Sequence, residues 1–160
     1  MNKDALVTKI ITSLEADYSL LLQAAKAAHD AATHEENIPD DKYETLALEA
    51  SYVAQGQASR AQEIKRAVQA FRGLLLQVFS DETPIRMSAL VELEDSDEGH
   101  LRTVFLGPAA GGLRLHFDGR EIMVISPASP LGQELIGKEC GDLVELKSGT
   151  MREYEIISVS

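Results

Sequence analysis

Asp41 and Glu44 stand three residues apart, a spacing that puts two side chains on one face of a helix. Such a pair can supply part of a Mg²⁺ shell. That ion usually takes one or two protein carboxylates and completes its octahedron with water and phosphate oxygens. Alone, the pair makes no enzyme. Beside another protein's metal site it could hold a second ion, and two metals together activate water and stabilise the leaving oxygen in phosphodiester cleavage. The pair lies in the most acidic stretch of the chain. From Asp30 to Glu49 there are seven carboxylates, Asp30, Glu35, Glu36, Asp40, Asp41, Glu44 and Glu49, and Lys42 is the one Lys or Arg among them. Helix capping explains part of this, because an Asp cap with acidic residues behind it accepts from free N–H groups and complements the helix dipole. It does not explain so many carboxylates around one lysine, since their mutual repulsion costs stability.

Other chemistries find little support. His29 and His34 are five apart, not the four that would set both on one ligating face, and His100 and His116 show no ligand spacing. Ser126 and Ser129 adjoin prolines rather than a nucleophile elbow. Gly107–Gly112 lacks the lysine of a nucleotide-binding loop. Cys140 has Lys138 as its nearest basic residue in sequence and reads as an inert thiol.

The acidic stretch is held between two long segments of helical period. In the first, Val7, Leu14, Leu21 and Ala28 form one seven-residue series and Ile11, Tyr18, Ala25 and Ala32 the other. In the second, over residues 42–79, the series are Tyr43, Ala50, Gln57, Ile64, Phe71, Val78 and Ala47, Ala54, Ala61, Val68, Leu75. Alternating three-and-four spacing is the seam of a coiled coil, and two such segments with a short connection around Pro39 fold back antiparallel. Gly56 and Gly73 interrupt the second segment at about 1 kcal/mol each against Ala. The seam is small near the tip (Ala28, Ala32, Ala47, Ala50, Ala54) and large near the base (Val7, Leu14, Leu21, Phe71, Leu75). Small residues let helices approach closely but bury little area, at roughly 25 cal/mol per Å². The expectation is a slim, weakly stabilised hairpin with an acidic tip, reaching roughly 45 Å at 1.5 Å per residue. A slim tip suits entry into something narrow.

From Thr83 the period changes. Ser88–Glu94 and Thr103–Leu106 read as strands around a turn at Ser96–Gly99. Leu113–His116 and Glu121–Ser126 read as a second pair around Asp118-Gly119, and Asp142–Lys147 and Glu153–Val159 as a third around Ser148-Gly149. Ser129–Leu135 carries helix-start chemistry, with Ser129 as cap, Pro130 in the first turn and Gly137 as stop. These elements predict a twisted antiparallel sheet of five or six strands with one short helix on it. The fold class is therefore α+β, an N-terminal helical hairpin over residues 1–80 and a β-rich domain over 81–160, with the boundary near Ser80–Pro84.

The 160-residue chain carries a net charge of −11. That opposes attraction to nucleic acid phosphate or an anionic membrane and favours a basic protein partner or a cation. One cysteine excludes an internal disulfide and a cysteine zinc site, and fits a reducing cytosol. No signal peptide is expected, and no apolar run approaches a membrane span.

The stretch from Ile125 to Val159 resembles the Gre family of bacterial transcript-cleavage factors. The resemblance rests on Ser129-Pro130 before a short helix, then Leu135-Ile136-Gly137-Lys138, Gly141-Asp142 and Tyr154-Glu155-Ile156, with Leu106-Gly107-Pro108 fitting the family's central strand end. The family's Asp-x-x-Glu tip pair falls on Asp41-Lys42-Tyr43-Glu44. The resemblance implies an FKBP-like C-terminal domain that docks on bacterial RNA polymerase, with Ser129, Pro130, Leu131 and Gly132 as the contact. It implies a hairpin entering the secondary channel, where Asp41 and Glu44 approach the RNA 3′ end and share a Mg²⁺ with the polymerase active site. The factor would stimulate the polymerase's own cleavage of backtracked RNA without being an enzyme and without a cofactor of its own. It would act as a cytoplasmic monomer with no membrane contact. The alternatives are a channel-binding regulator without cleavage and an FKBP-like peptidyl-prolyl isomerase or chaperone.

Overall fold

The computed structural model describes residues 1–35 and 41–160, with side chains for all of these except 32–35, 41–50 and 52. Its elements are α1 (Lys3–Glu35), α2 (Asp41–Arg72), β1 (Leu90–Asp95), β2 (Leu101–Leu106), β3 (Arg114–Phe117), β4 (Arg120–Ile125), α3 (Pro130–Leu135), β5 (Leu143–Ser148) and β6 (Thr150–Val159). Long N-terminal helices are followed by a sheet domain, the expected α+β class. The chain divides into two compact units, Met1–Ile10 with Ala70–Ser160, and Ile11–Gln69. Compactness thus groups the chain differently from the change of sequence period near Ser80–Pro84.

In the helical unit the seam follows the heptads. Leu14, Ala25, Ala54, Ala61 and Val68 are buried, and Ile11, Tyr18, Leu21, Ala28, Gln57 and Ile64 are half-buried. A shallow depression is lined by Asp17, Leu20 and Leu21 of α1 and by Arg60 and Ile64 of α2, as an antiparallel pairing of the two helices requires. The second helix is shorter than its period suggests. It stops at Arg72, and Leu75 and Val78 are 84% and 92% exposed. Gly73 supplies the stop, because it lowers the cost of leaving the helix while the Leu-rich run beyond it still mimics a heptad. Tyr43, Ala47 and Ala50 belong to the expected seam, and Ala32 and Pro39 to the expected tip, but all five lie outside the described residues or side chains.

The sheet has six strands in the order β3-β4-β2-β1-β6-β5. It is mixed rather than wholly antiparallel, because β2 and β4 pair in parallel, Thr103↔Ile122 through Leu106↔Ile125. The connection after β2 carries the chain past one strand position. There β3 runs as an edge with Arg114 and His116 exposed, and β4 returns into the gap. The sequence of β4, REIMVI, is nearly continuous in apolar residues, which suits a strand covered on both faces. The β3–β4 turn uses Asp118 (φ 50°) and Gly119 (φ 74°), the left-handed pair that a two-residue hairpin needs. β6 begins earlier than expected and bulges opposite Glu92 and Leu93.

On one sheet face Val91, Leu93, Val104, Leu106, Ile125 and Ile156 pack with Leu131 and Leu135 of α3. On the other, Leu90, Phe105, Ile122 and Val124 are buried. Leu6, Ile10 and Phe71 are buried within the same unit, and the Phe71 ring and Val124 both close on Gly107. Lys3 fastens the first turn of α1. Its ammonium donates to the carbonyls of Gln77 (2.5 Å) and Ser88 (3.1 Å) and sits 4.6 Å from the Phe79 ring centre. Burial pushes the Lys3 pKa down, with nearby Asp4 acting against it.

Candidate functional site

Three places on the chain are candidates for functional chemistry. The first is the acidic tip. Asp41 is the first residue of α2 and Glu44 lies within its first turn, so the backbone supplies the i, i+3 spacing on one face. The side chains of both residues, and Asp40 entirely, lie outside the described residues. The tip follows a 33-residue helix and opens a 32-residue one, a support of about 50 Å at 1.5 Å per residue.

The second place is the turn into α3. Ser129 has extended backbone (φ −65°, ψ 155°) and is the N-cap, its hydroxyl accepting from the Gly132 N–H at 3.1 Å and donating to the Ser126 carbonyl at 2.7 Å. Pro130 occupies the first helical position, where its missing N–H costs nothing. Of the four residues assigned to this turn, Pro130 is exposed, Ser129 is half-buried, and Leu131 and Gly132 are buried. Gly137, at φ +84°, ends the helix and ties it to the chain before β1 by donating to the Ile85 carbonyl at 2.8 Å.

The third place has no counterpart among the residues singled out from sequence. Asp95 ends β1, and its carboxylate accepts from the backbone N–H groups of Asp97 (2.9 Å) and Glu98 (3.1 Å). Arg152 of β6 donates to it at 3.3 Å. The two backbone donors, more than the Arg152 charge, hold the Asp95 pKa below the usual carboxylate range, against the opposing effect of burial. Glu98 and then Asp95 raise the Arg152 pKa in turn. The legible signal was the Asp at the head of the Ser96–Gly99 turn, a position that favours side-chain to backbone bonding. A cavity of about 240 Å³ adjoins this cluster, lined by Arg102, Arg114, Arg152, Met123 and Tyr154 among others. The Arg102 guanidinium lies 5.4 Å from the centre of the Tyr154 ring.

Elsewhere, Cys140 donates from Sγ to the Ile157 carbonyl at 3.0 Å, and burial followed by the Asp81 charge pushes its pKa up. A thiol so placed yields little thiolate. No cluster of three or more metal-ligating side chains occurs among the described residues. No helix among them is long and apolar enough to cross a membrane.

The described chain is thus two long helices followed by a mixed six-stranded sheet that carries a capped helix of six residues. A family model described as transcription elongation factor GreA/GreB, C-terminal part, matches residues 80–160. The chain belongs to that family. No curated protein matches it. Among solved structures it is similar to the transcription factor Gfh1, at 23% identity over 96% of this chain and 92% of that one, with a TM-score of 0.42. It is similar to GreA factor homolog 1 of Thermus thermophilus, at 23% identity over 96% and 94%, with a TM-score of 0.40. It is also similar to the elongation factor GreA/GreB from Nitrosomonas europaea, at 20% identity over 73% and 92%, with a TM-score of 0.38.

Proposed function

We propose that this protein binds bacterial RNA polymerase and inserts its acidic tip through the secondary channel to stimulate cleavage of backtracked RNA. The observation that carries the reading is the Asp41–Glu44 pair at the opening turn of α2, between two helices of more than thirty residues, in a chain whose C-terminal half matches the GreA/GreB family. The Ala-rich distal seam suits a narrow channel. The turn at Ser129 and Pro130 serves as a contact on the polymerase surface. The protein is an accessory to the polymerase's chemistry and works as a monomer in the cytoplasm.

Asp41 and Glu44 fit a shared Mg²⁺ by donor type and spacing, two hard carboxylate ligands on one helical face. When bound there, the ion supplies charge stabilisation and an activated water. The part of this chain is to bring two carboxylates to the polymerase site on a thin support and to hold them there. The test is release of short 3′ fragments from stalled, backtracked complexes. Wild type is expected to release them, and the protein carrying Asp41→Ala with Glu44→Ala to bind without releasing them. Equal release by both proteins would remove the role assigned to the pair.

A second reading keeps the channel and omits the cleavage. It is favoured by Thr45 immediately after the tip pair, by Tyr43 inside it, and by the few basic residues on the helices, Lys26, Arg60, Lys65 and Arg66. On that reading the same assay shows binding and altered initiation or pausing, but no fragments.

A further inference from the structure

The face of the sheet that carries α3 continues beyond it. β-strand alternation puts Arg102 on the same face as Val104 and Leu106, and the register pairs Val104 with Met123 and Arg114 with Met123. α3 packs against β5, near one end of this face. Toward the other end the lining turns from aliphatic to charged, with Arg102, Arg114 and Arg152 beside the carboxylates of Asp95 and Glu121, and the cavity of about 240 Å³ opens there. Three of the chain's fifteen Lys and Arg residues line it, in a protein of net charge −11.

Their partners differ. Arg152 is paired with Asp95 at 3.3 Å and Arg114 with Glu121 at 3.2 Å. Arg102 makes no ion pair among the described residues. The guanidinium stands over the Tyr154 ring instead, 5.4 Å from its centre. A guanidinium held over an aromatic face keeps its plane fixed while its N–H edge stays open, the geometry that receives a carboxylate through two parallel bonds. Arg102 is therefore a pre-oriented cation whose donors are not committed within the described fold.

We propose that this cavity is a carboxylate-recognition site, in which Arg102, stacked on Tyr154, takes an Asp or Glu side chain from an extended acidic segment of a partner protein. The volume admits one or two side chains rather than a folded element. The surface around it lets a segment continue. Arg102, Arg152 and Tyr154 also border a depression that reaches Leu146, and Leu146, Lys147 and Met151 border the next one, which ends at Pro130 and has Glu134 and Glu145 in its lining. Met151 is 64% exposed and offers apolar surface a few residues along from the carboxylate. The segment that fits is acidic with a nearby aliphatic residue. A nucleic acid strand fits poorly, because its phosphates need several uncommitted cations in a row and the two other arginines already face carboxylates. The site lies in the domain assigned to polymerase docking but does not depend on that assignment or on the tip.

The test uses the full chain labelled with ¹⁵N and an acetylated, amidated peptide of sequence Ala-Asp-Glu-Ala-Leu, with its Asn/Gln isostere as comparison. Shifts are expected at the Arg102 side-chain N–H and at the amides of Thr103, Arg114 and Tyr154. The isostere is expected to bind about tenfold more weakly or worse, since it lacks the charge-assisted pair. Arg102→Gln should weaken the acidic peptide by a similar factor, and Arg102→Lys should restore part of the loss. Arg102 is exposed, so these variants keep the fold, which unchanged shifts across β1 and β6 would verify. The proposal is overturned if the isostere binds as well as the acid, if Arg102→Gln binds like wild type, or if no shift occurs at millimolar peptide. It is equally overturned if inorganic phosphate or a single-stranded oligonucleotide produces the same shifts at lower concentration than the peptide.

Discussion

Replacing Gly132 by alanine should unseat the turn that leads into α3. A Cβ built at Gly132 lies 2.0 Å from the Ser126 carbonyl oxygen and 2.9 Å from Ser129 Oγ, where ordinary contact begins at 3.4 Å. Backbone rather than a flexible side-chain end is in the way, so the Ser126–Ser129 turn must withdraw by about 1.4 Å. That movement breaks the Ser129 hydroxyl's bonds to the Ser126 carbonyl (2.7 Å) and from the Gly132 N–H (3.1 Å). Overpacking of this kind costs about 1–3 kcal/mol, and loss of an N-cap about 1 kcal/mol. Alanine's better helix propensity returns about 1 kcal/mol, leaving a net loss of about 2 kcal/mol. Urea unfolding followed through the methyl signals of Leu135 and Ile156 reads this as a lower midpoint at unchanged slope. Ser129→Ala should cost about 1 kcal/mol, and the double variant less than the sum, because both changes act on one turn. Gly56→Ala is the contrasting case, since nothing lies within 4 Å of its Cβ, and it should stabilise α2 by up to about 1 kcal/mol. If Gly132→Ala proved as stable as wild type, the close approach at the turn would be wrong.

Three further outcomes concern the same compact unit, Met1–Ile10 with Ala70–Ser160. Gly107→Ala brings a Cβ to 2.8 Å from the Phe71 ring and 3.0 Å from Val124, and should cost about 1–3 kcal/mol by overpacking, again read by urea midpoint. Asp95 has a folded pKa below its unfolded value, so its contribution is present above the ordinary carboxylate range and is lost as pH falls through the lowered value. Acid unfolding should therefore be less steep in Asp95→Asn than in wild type, and equal steepness would contradict the assigned bonds. Lys3 has a folded pKa lowered by burial, so the folded state binds fewer protons and its burial penalty is relieved as pH rises through the lowered value toward the unfolded one. Stability measured across the alkaline range should gain in wild type relative to Lys3→Met.

Much of the fold was legible because local chemistry and global packing agree. The described part of the heptad seam up to Arg72, the Ser129 cap, the Gly137 stop and the Asp118-Gly119 turn are each fixed by a few residues, and each stands where those residues put it. The end of α2 was not legible, since Leu75 and Val78 sustain a heptad that the backbone abandons after Arg72. The parallel β2–β4 pairing was hidden too, because strand order depends on contacts distant in sequence. The tip pair was visible in the sequence as an i, i+3 spacing, and its side chains lie outside those described. The cavity beside Arg102 was not visible there, because its residues come from β1, β2, β3, β4 and β6 and meet only when the sheet forms.

What the tip does once delivered can be read at the RNA 3′ end. The most direct measurement places the protein on backtracked bacterial RNA polymerase complexes with Mg²⁺ and follows the RNA 3′ end. Wild type is expected to release short 3′ fragments and restore elongation, while the Asp41→Ala, Glu44→Ala protein binds equally and releases none. Fragment release that persists at the wild-type rate in that variant would contradict the account.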